Sequence, residues 1–242
     1  MERKDYPAVG EAVYQTTLRN GLKVFLLPKR DFNETYGIMT ANFGSIDTSF
    51  IPRGSNQAVQ YPAGVAHFLE HKLFEDENGQ DFLQQFVELG AESNAFTSFT
   101  ETSYLFSATD NVLENVRLLQ SLLENAYFTE KSVQREQGII QQEIDMYKDN
   151  PDYCLFFHTL ANLYPDTPLA EDIAGSIESV TEITVEDLDE NFETFYHPSN
   201  MSLLLIGNFD LEKTIAVIQE QHESLKGIDE ESLIRRFPLA LN

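Results

Sequence analysis

A tight turn at Asn20-Gly21 constrains the fold most strongly, because it requires the segments on either side to pair as a hairpin. Residues 14–17 and 23–27 have strand character and flank the turn, and Asn-Gly favours the positive φ values that short hairpin turns need. Further strand-like segments lie at residues 37–43, 101–109 and 201–207. The chain is therefore expected to contain a sheet that begins with an antiparallel pair.

The longer segments between these strands carry apolar residues at the spacing of one helix face. Residues 44–60 are interpreted as a polar loop, and Gly90 is placed as the C-terminal cap of the second helix. The predicted helices cover residues 65–74, 81–89, 112–126, 130–148, 153–163, 184–195 and 211–225. Paired strands and runs of helices predict an α+β fold, a two-layer sandwich of a mostly antiparallel sheet packed by helices.

The chain is strongly acidic, with 16 Lys and Arg against 40 Asp and Glu, a net charge of −24 over 242 residues. Nucleic acids and anionic membrane surfaces both bind clustered cations, so neither is an expected partner. No apolar run approaches the roughly 18 residues of a membrane span, and the first residues lack the apolar stretch of a signal peptide. We therefore expect a soluble, cytoplasmic protein.

The acidity is concentrated in the second part of the chain, where residues 171–193 hold nine acids and no Lys or Arg. One interpretation is a solvated helical surface that keeps the protein soluble by self-repulsion. The other is a negative field that attracts cationic peptides. The composition is compatible with both.

The segment His67-Phe68-Leu69-Glu70-His71 indicates metal chemistry. Two histidines four residues apart project from one helix face, so their imidazoles can converge on one metal. Glu70 shares that face and can accept a proton from a water on the metal without being a ligand. This is the His-x-x-Glu-His order of inverzincins. The alternative is that both are ordinary histidines on a polar helix face, with no role in metal binding.

A tetrahedral zinc site needs a third protein ligand, and the helix after Thr129 offers two candidates. Glu136 and Glu143 are seven residues apart, two helical turns, and lie beside an apolar stripe centred on Ile140. Carboxylates next to a core need a partner or a metal. The alternative is that both acids lie on the solvated edge of an amphipathic helix.

Taken together, these motifs resemble the pitrilysin/insulinase family of zinc peptidases, in which His-x-x-Glu-His is followed by a helix with two glutamates seven apart. The resemblance runs from about residue 16 to about residue 226 and is strongest for bacterial, cytoplasmic-type members whose motif continues His-Lys-Leu-Phe-Glu, as at 71–75. Further matching segments are Asn94-Ala95-Phe96-Thr97-Ser98, Tyr196-His197-Pro198-Ser199-Asn200-Met201 and Leu203-Leu204-Leu205-Ile206-Gly207-Asn208.

The resemblance implies a role for each residue of the two motifs. It implies Zn²⁺ as cofactor, with His67, His71 and Glu143 as ligands, and Glu70 as the general base that activates the attacking water. Glu136 would hold a ligand imidazole in position. The fold would be similar to the metallohydrolase domain of the pitrilysin and processing-peptidase family.

The resemblance also implies how peptide is bound. Asn94 and Ala95 match a segment that contacts the substrate backbone beside an edge strand, so the peptide would be held as an added strand. We therefore expect a zinc metalloendopeptidase, or its zinc-bearing half, that hydrolyses extended peptides.

Active members of the family consist of two homologous halves, and the second half supplies an Arg and a Tyr that contact substrate. Nothing after Gly207 offers that pair. Residues 1–226 are therefore predicted to form one zinc-peptidase-like domain, and residues 227–242 the start of a linker to a C-terminal half that is missing here. Alternatively, a partner chain supplies the second half.

The sequence is compatible with two other functions. The chain could be a non-catalytic, peptide-binding partner subunit of a processing complex, although its intact motif favours catalysis. It could also be a lyase acting on ribosyl-homocysteine, which uses a similar helix with a cysteine as third ligand. The single cysteine, Cys154, lies in an apolar run and is interpreted as an inert core thiol.

Overall fold

The computed structural model describes residues 1–75, 79, 81–124 and 126–223 and confirms the predicted α+β class. The strands are β1 (Glu2–Tyr6), β2 (Glu11–Thr17), β3 (Lys23–Pro28), β4 (Thr35–Ala41), β5 (Ser49–Phe50), β6 (Val59–Gln60), β7 (Ala91–Thr97), β8 (Thr102–Ala108) and β9 (Met201–Gly207). The helices are α1 (Val65–Lys72), α2 (Phe82–Glu88), α3 (Val112–Leu122), α4 (Glu130–Tyr147), α5 (Pro151–Leu163), α6 (Ile177–Glu182), α7 (Val185–Phe195) and α8 (Leu211–Glu223).

Seven of the strands form one sheet in the order β1-β2-β3-β9-β4-β8-β7. Every neighbouring pair is antiparallel except β3 and β9, which run parallel. Among the described strands β7 pairs only with β8, so β7 is an edge of the sheet. This edge is the one beside which α1 packs.

The core lies between one face of this sheet and the helices. Alternate residues of β4 and β9 are buried, while their neighbours along each strand are less buried and face outward. Stacked and edge-to-face aromatic rings fill part of the helical layer, with the Phe43 and Phe195 centroids 4.2 Å apart and those of Phe50 and Tyr61 4.6 Å apart. Such pairs add to the stability that area burial alone provides.

The hairpin prediction is confirmed, because β2 and β3 pair across the turn and Gly21 adopts φ +91°. Gly90 follows α2 with φ +76°, as expected of a C-terminal cap. The predicted helices and strands occur with small shifts at their ends, and the whole of β9 agrees with the prediction.

The sequence pattern missed five elements, namely β1, β5, β6, β7 and α6. Residues 44–60 are also not simply a polar loop, because β5 and β6 pair there and Phe50 is fully buried. The edge strands β1 and β7 have one unpaired side and little apolar alternation, which is why their sequences lack a strand signal.

Cys154 was expected in the core, but it is only partly buried. It belongs to α5, which lies wholly within the described residues and has no fully buried residue. The predicted linker at 227–242 lies outside the described residues. No helix in the described part of the chain is long and apolar enough to span a membrane.

A close glycine contact positions the start of α1. Gly64, the N-cap of α1, has φ +91°, and a Cβ there would lie 2.5 Å from the carbonyl oxygen of Ala174. Gly175 packs against the same contact from its other side: a Cβ at Gly175 would lie 2.5 Å from the carbonyl oxygen of Ala63. The helix that carries His67 and His71 is thus held against the 172–175 segment by backbone-to-backbone packing.

We expect Gly64→Ala to lower the free energy of unfolding by about 3 kcal/mol or more, because it combines an unfavourable positive φ with a backbone clash. Gly90→Ala is the matched control, since Gly90 also has positive φ but a Cβ there meets no described heavy atom within 4 Å. The control should lose only about 1–2 kcal/mol. Urea denaturation of both variants measures the difference, and equal losses would show that the contact with Ala174 contributes nothing.

Candidate metal centre

The packing of α1 decides where its polar side chains lie. Phe68 and Leu69 are fully buried in the core, which fixes the rotation of the short helix. His67, Glu70 and His71 are therefore held together at the boundary of the core, each partly buried. This is the arrangement that the helical spacing predicted.

The helix α4 supplies the opposite wall. Thr129 begins it with a capping box, in which its side chain and that of Ser132 each accept from the other's backbone N–H. Val133 and Ile140 are buried and anchor the helix. The predicted apolar stripe is thus buried at those two positions, and α4 packs directly against α1.

The side chains of His67, His71 and Glu143 converge, with one potential ligand atom of each lying within 4.8 Å of the others. Glu143 Oε2 is 3.4 Å from His71 Nε2 and 3.8 Å from His67 Nε2. Ligand atoms at 2.0–2.1 Å from a tetrahedral zinc would lie about 3.4 Å from one another. The three residues present therefore fit a tetrahedral metal with only small adjustments.

The second glutamate of α4, Glu136, contacts His71 instead of the cluster centre. His71 Nδ1 lies 3.0 Å from Glu136 Oε1. When the ring proton is on Nδ1, the imidazole donates to Glu136 and its Nε2 lone pair faces Glu143. Glu136 is 8% exposed, so this hydrogen bond also supplies the partner that a carboxylate needs in the core.

The protonation equilibria of the two histidines are shifted in opposite directions. Burial and the neighbouring His71 lower the pKa of His67 to about 4. Burial acts in the same direction on His71, but hydrogen bonds to Glu136 and Glu143 outweigh it and raise its pKa to about 9. The hydrogen bond to His71 holds the pKa of Glu143 below its usual value.

Glu70 lies beside the cluster without belonging to it. Burial raises the pKa of Glu70, while a hydrogen bond from the Thr97 hydroxyl to Oε2, 2.6 Å long, opposes the shift. Thr97 is on β7, so the edge strand itself holds this carboxylate. Thr97 lies in the segment 94–98 that resembles the family, but no role was predicted for it. Its two-residue spacing from Ala95 places both side chains on one strand face.

A second connection between α1 and α4, which runs through Glu75, was not predicted from the sequence. Lys72, at the end of α1, is 1% exposed and donates to Glu75 Oε2 at 2.6 Å. Arg135 of α4 donates to the same oxygen at 2.5 Å. These charge-assisted hydrogen bonds fix the distance between the two helices that carry the candidate ligands. A buried Lys has no signal in a single sequence, because Lys at a helix end is ordinarily exposed.

The two predicted substrate-contacting residues lie on the edge strand. Asn94 is exposed and Ala95 is partly buried, and the Asn94 side-chain oxygen accepts a hydrogen bond from the Ala95 N–H at 2.9 Å. Both residues line a cleft of about 450 Å³ that also contains Glu70, His71 and Glu136. The unpaired side of β7 therefore runs along the candidate metal centre.

The cysteine of the lyase hypothesis is not part of this group. Cys154 Sγ is 3.1 Å from the Lys148 carbonyl oxygen. The group of potential metal ligands found among the described residues consists of His67, His71 and Glu143. A histidine–carboxylate donor set is typical of catalytic zinc, with a fourth position left for water.

Comparison with known proteins identifies the family. Residues 49–176 match the model described as Insulinase (Peptidase family M16), and residues 182–240 match the model described as Peptidase M16 inactive domain. The chain belongs to peptidase family M16. The resemblance drawn from its motifs is thereby confirmed.

Relatives within M16 are named as zinc proteases. The chain is 50% identical over 216 residues to the uncharacterized zinc protease YmfH of Bacillus subtilis, covering 89% of this chain and 50% of that protein. A crystal structure of an M16-like peptidase from Alicyclobacillus acidocaldarius superposes with a TM-score of 0.90 at 36% identity, covering 97% of this chain and 54% of that one. The chain spans about half the length of the curated relatives it matches.

We expect the purified chain to bind about one zinc, and His71→Ala and Glu143→Gln to abolish stoichiometric binding because each removes a ligand. Glu136→Gln should weaken affinity about 10- to 100-fold, the effect of losing a partner that orients a ligand. Glu130→Gln, an exposed carboxylate at the start of the same helix, is the matched control and should bind as the wild type does. Metal analysis after dialysis measures the zinc content of each variant, and competition with a chromogenic chelator measures its zinc affinity. Full zinc content in His71→Ala and Glu143→Gln would contradict the ligand assignment.

Proposed function

We propose that the chain is the zinc-bearing half of a metallopeptidase that hydrolyses peptide bonds in extended peptides. The observation that carries the proposal is the convergence of His67, His71 and Glu143 beside a carboxylate, Glu70, that is held by a separate hydrogen bond. Membership of M16 and the names of its relatives as zinc proteases support the same reaction class.

Zinc, when bound by His67, His71 and Glu143, would act as a Lewis acid toward the scissile carbonyl and lower the pKa of a water. Glu70 would accept the proton of the attacking water and deliver it to the departing amide nitrogen. Its pKa is raised by burial, and a more basic carboxylate accepts that proton more readily. Thr97 holds one oxygen of Glu70, leaving the other for this transfer.

Glu136 acts through His71 and not on the substrate. Its hydrogen bond fixes the tautomer and the orientation of the imidazole, so that Nε2 faces Glu143. The contact of Lys72 and Arg135 with Glu75 keeps α1 and α4 at the required separation. These interactions hold the ligand atoms in place before a metal binds, which reduces the cost of assembling the site.

Peptide binding by strand addition is supported by the position of β7. This strand pairs with β8 on one side, and its other side borders the cleft that contains Glu70 and His71. A peptide lying along β7 would form backbone hydrogen bonds there, and Asn94 and Ala95 would contact its backbone. The Asn94 side chain would have to release the Ala95 N–H first.

The proposed enzyme has a second half or a partner chain. The chain spans about half of its relatives, and we assign residues 1–226 to the zinc-peptidase-like domain and 227–242 to the connection that follows it. A non-catalytic partner subunit is the alternative, which the match of residues 182–240 to a domain described as inactive would favour. The complete His-x-x-Glu-His motif favours the catalytic proposal.

We expect Glu70→Gln to retain zinc and to lower kcat about 10²- to 10⁴-fold, because it keeps the shape of the side chain and removes the basic oxygen. The measurement uses zinc content together with cleavage of an unstructured peptide by the two-half protein or by the chain with its partner. Glu130→Gln is again the control and should cleave normally. Loss of zinc in Glu70→Gln would show that Glu70 is a ligand, and undiminished cleavage would remove it from the mechanism.

We expect Thr97→Val to lower kcat about 10-fold with little change in KM or zinc content, since one hydrogen bond to the base is lost. Thr97→Ser should restore the rate, because it keeps the hydroxyl. Thr40→Val removes a hydroxyl that is hydrogen-bonded to Ser103, outside the site, and should have no effect on kcat. A Thr97→Ser variant as slow as Thr97→Val would indicate that the methyl group matters and the hydrogen bond does not.

A further inference from the structure

The large sheet has a second face, turned away from the core. In β9, Leu203 and Leu205 are fully buried, whereas Leu204 between them is 37% exposed. The strand β4 alternates in the same way, with Ile38 on its less buried side. Because successive side chains of a strand point to opposite sides of the sheet, Leu204 and Ile38 belong to the face that the core does not use.

The strand register places apolar residues of four strands side by side on this second face. Leu204 pairs with Phe25 of β3 on one side and with Ile38 of β4 on the other, and Ile38 pairs with Leu105 of β8. The rows above and below follow from the same register. The outer face is defined here by three rows of four residues, which are Lys23, Ser202, Thr40 and Ser103, then Phe25, Leu204, Ile38 and Leu105, then Leu27, Ile206, Tyr36 and Ser107.

The outer face is apolar and almost uncharged. Asp and Glu make up 40 of the 242 residues of the chain, about one in six, yet none of these twelve described residues is acidic and Lys23 is the one that carries a charge. An antiparallel sheet that faces water on one side ordinarily carries polar residues there. The apolar residues of the outer face are Phe25, Leu27, Tyr36, Ile38, Leu105, Leu204 and Ile206. This composition is typical of a surface that is covered in the assembled protein.

Polar and charged residues border the outer face on both sides. On β7, the exposed Glu92 pairs with Ser107. On the opposite border, Phe25 pairs with Gln15 of β2, and Gln15 pairs with Glu2 of β1. An apolar centre with a polar rim is the usual anatomy of a protein interface. The strands β3 to β8 span roughly 14 Å between their axes, so a single element of another domain is large enough to cover the centre.

The outer face lies on the opposite side of the sheet from the candidate metal centre. Thr97, which holds Glu70, pairs with Thr102 of β8. Thr102 and Leu105 are three residues apart on that strand, so their side chains point to opposite faces. An occupant of the outer face therefore leaves the clefts beside the metal centre open to a peptide.

We infer that the outer face is the surface on which the second half of the enzyme packs, through an apolar element of low charge. The inference rests on the proposed function, in which this chain is the zinc-bearing half. The chain spans 50% of YmfH and 54% of the Alicyclobacillus peptidase, so each of these relatives has a portion of similar size that can cover such a face. A second copy of this chain is a poorer occupant, because each copy carries a net charge of −24 and the two would repel.

The accessibility of engineered cysteines tests the inference directly. In a Cys154→Ser background, Leu204→Cys and Ile38→Cys are labelled with a thiol reagent in the 242-residue chain and in the two-half protein, and labelling is followed at each site by mass spectrometry. We expect both sites to react about 100-fold more slowly in the two-half protein, since a buried thiol reacts only during local opening. Glu130→Cys, at an exposed position of the helical layer, is the matched control and should react equally fast in both proteins.

A charge placed in the outer face gives an independent measurement. Leu204→Lys should lower the thermal midpoint of the two-half protein by about 5 °C or more, because the ammonium group would be buried without a partner. In the 242-residue chain the same change should shift the midpoint by only about 1 °C, because the Lys head group reaches water there. Val87→Lys, at a position of α2 that is 68% exposed, is the control and should alter neither midpoint. Circular dichroism verifies that each variant is folded.

Protection of Leu204→Cys and Ile38→Cys in the two-half protein, with Glu130→Cys unchanged, supports the inference. Equal labelling rates in the two proteins would overturn it. Protection that rises with protein concentration would identify a second copy as the occupant, and equal slowing of Glu130→Cys would show occlusion that is not specific to this face; either result also overturns it.

The labelling and the thermal midpoints require neither zinc nor cleavage, so they report on the outer face separately from the proposed function. A protein that binds zinc and cleaves peptide but labels rapidly at Leu204→Cys would reject the interface alone. A protein whose outer face is protected but which neither binds zinc nor cleaves would reject the proposed function and leave the interface standing.

Discussion

The burial of Phe68 and Leu69 is the constraint on which the site depends. These two side chains lie in the core between the histidines of the motif, so the short helix α1 has a single rotation that satisfies its apolar residues. The contact of Gly64 with Ala174 fixes where that helix begins. Because α1 cannot turn or slide, His67 and His71 are presented to α4 in one geometry.

The second constraint is electrostatic. Three carboxylates, Glu70, Glu136 and Glu143, lie within a partly desolvated region, where unpartnered charges would be costly. Each has its own partner in Thr97, His71 or the pair of histidines. The different partners separate the three acids into a proposed proton acceptor, a proposed support for an imidazole and a proposed metal ligand.

The edge strand β7 connects the proposed base to the proposed peptide-binding edge. It holds Glu70 through Thr97, and through Asn94 and Ala95 it borders the cleft that contains His71. One strand thus contributes both to the placement of the proposed base and to the cleft beside it. A peptide paired with β7, as proposed, would be aligned with the candidate metal centre by backbone hydrogen bonds.

The sequence by itself determined the helical face that carries His67, Glu70 and His71, the seven-residue spacing of Glu136 and Glu143, the β2–β3 hairpin and the family. These features follow from local periodicity and turn chemistry, which depend on residues close together in the chain. The tertiary structure alone decided that β7 is an edge strand, that Lys72 is buried against Glu75 and that Thr97 holds Glu70. Those facts depend on contacts between residues far apart in sequence, and no local pattern encodes them. A polar edge strand has the composition of a loop, and a Lys at a helix end would be predicted to be exposed.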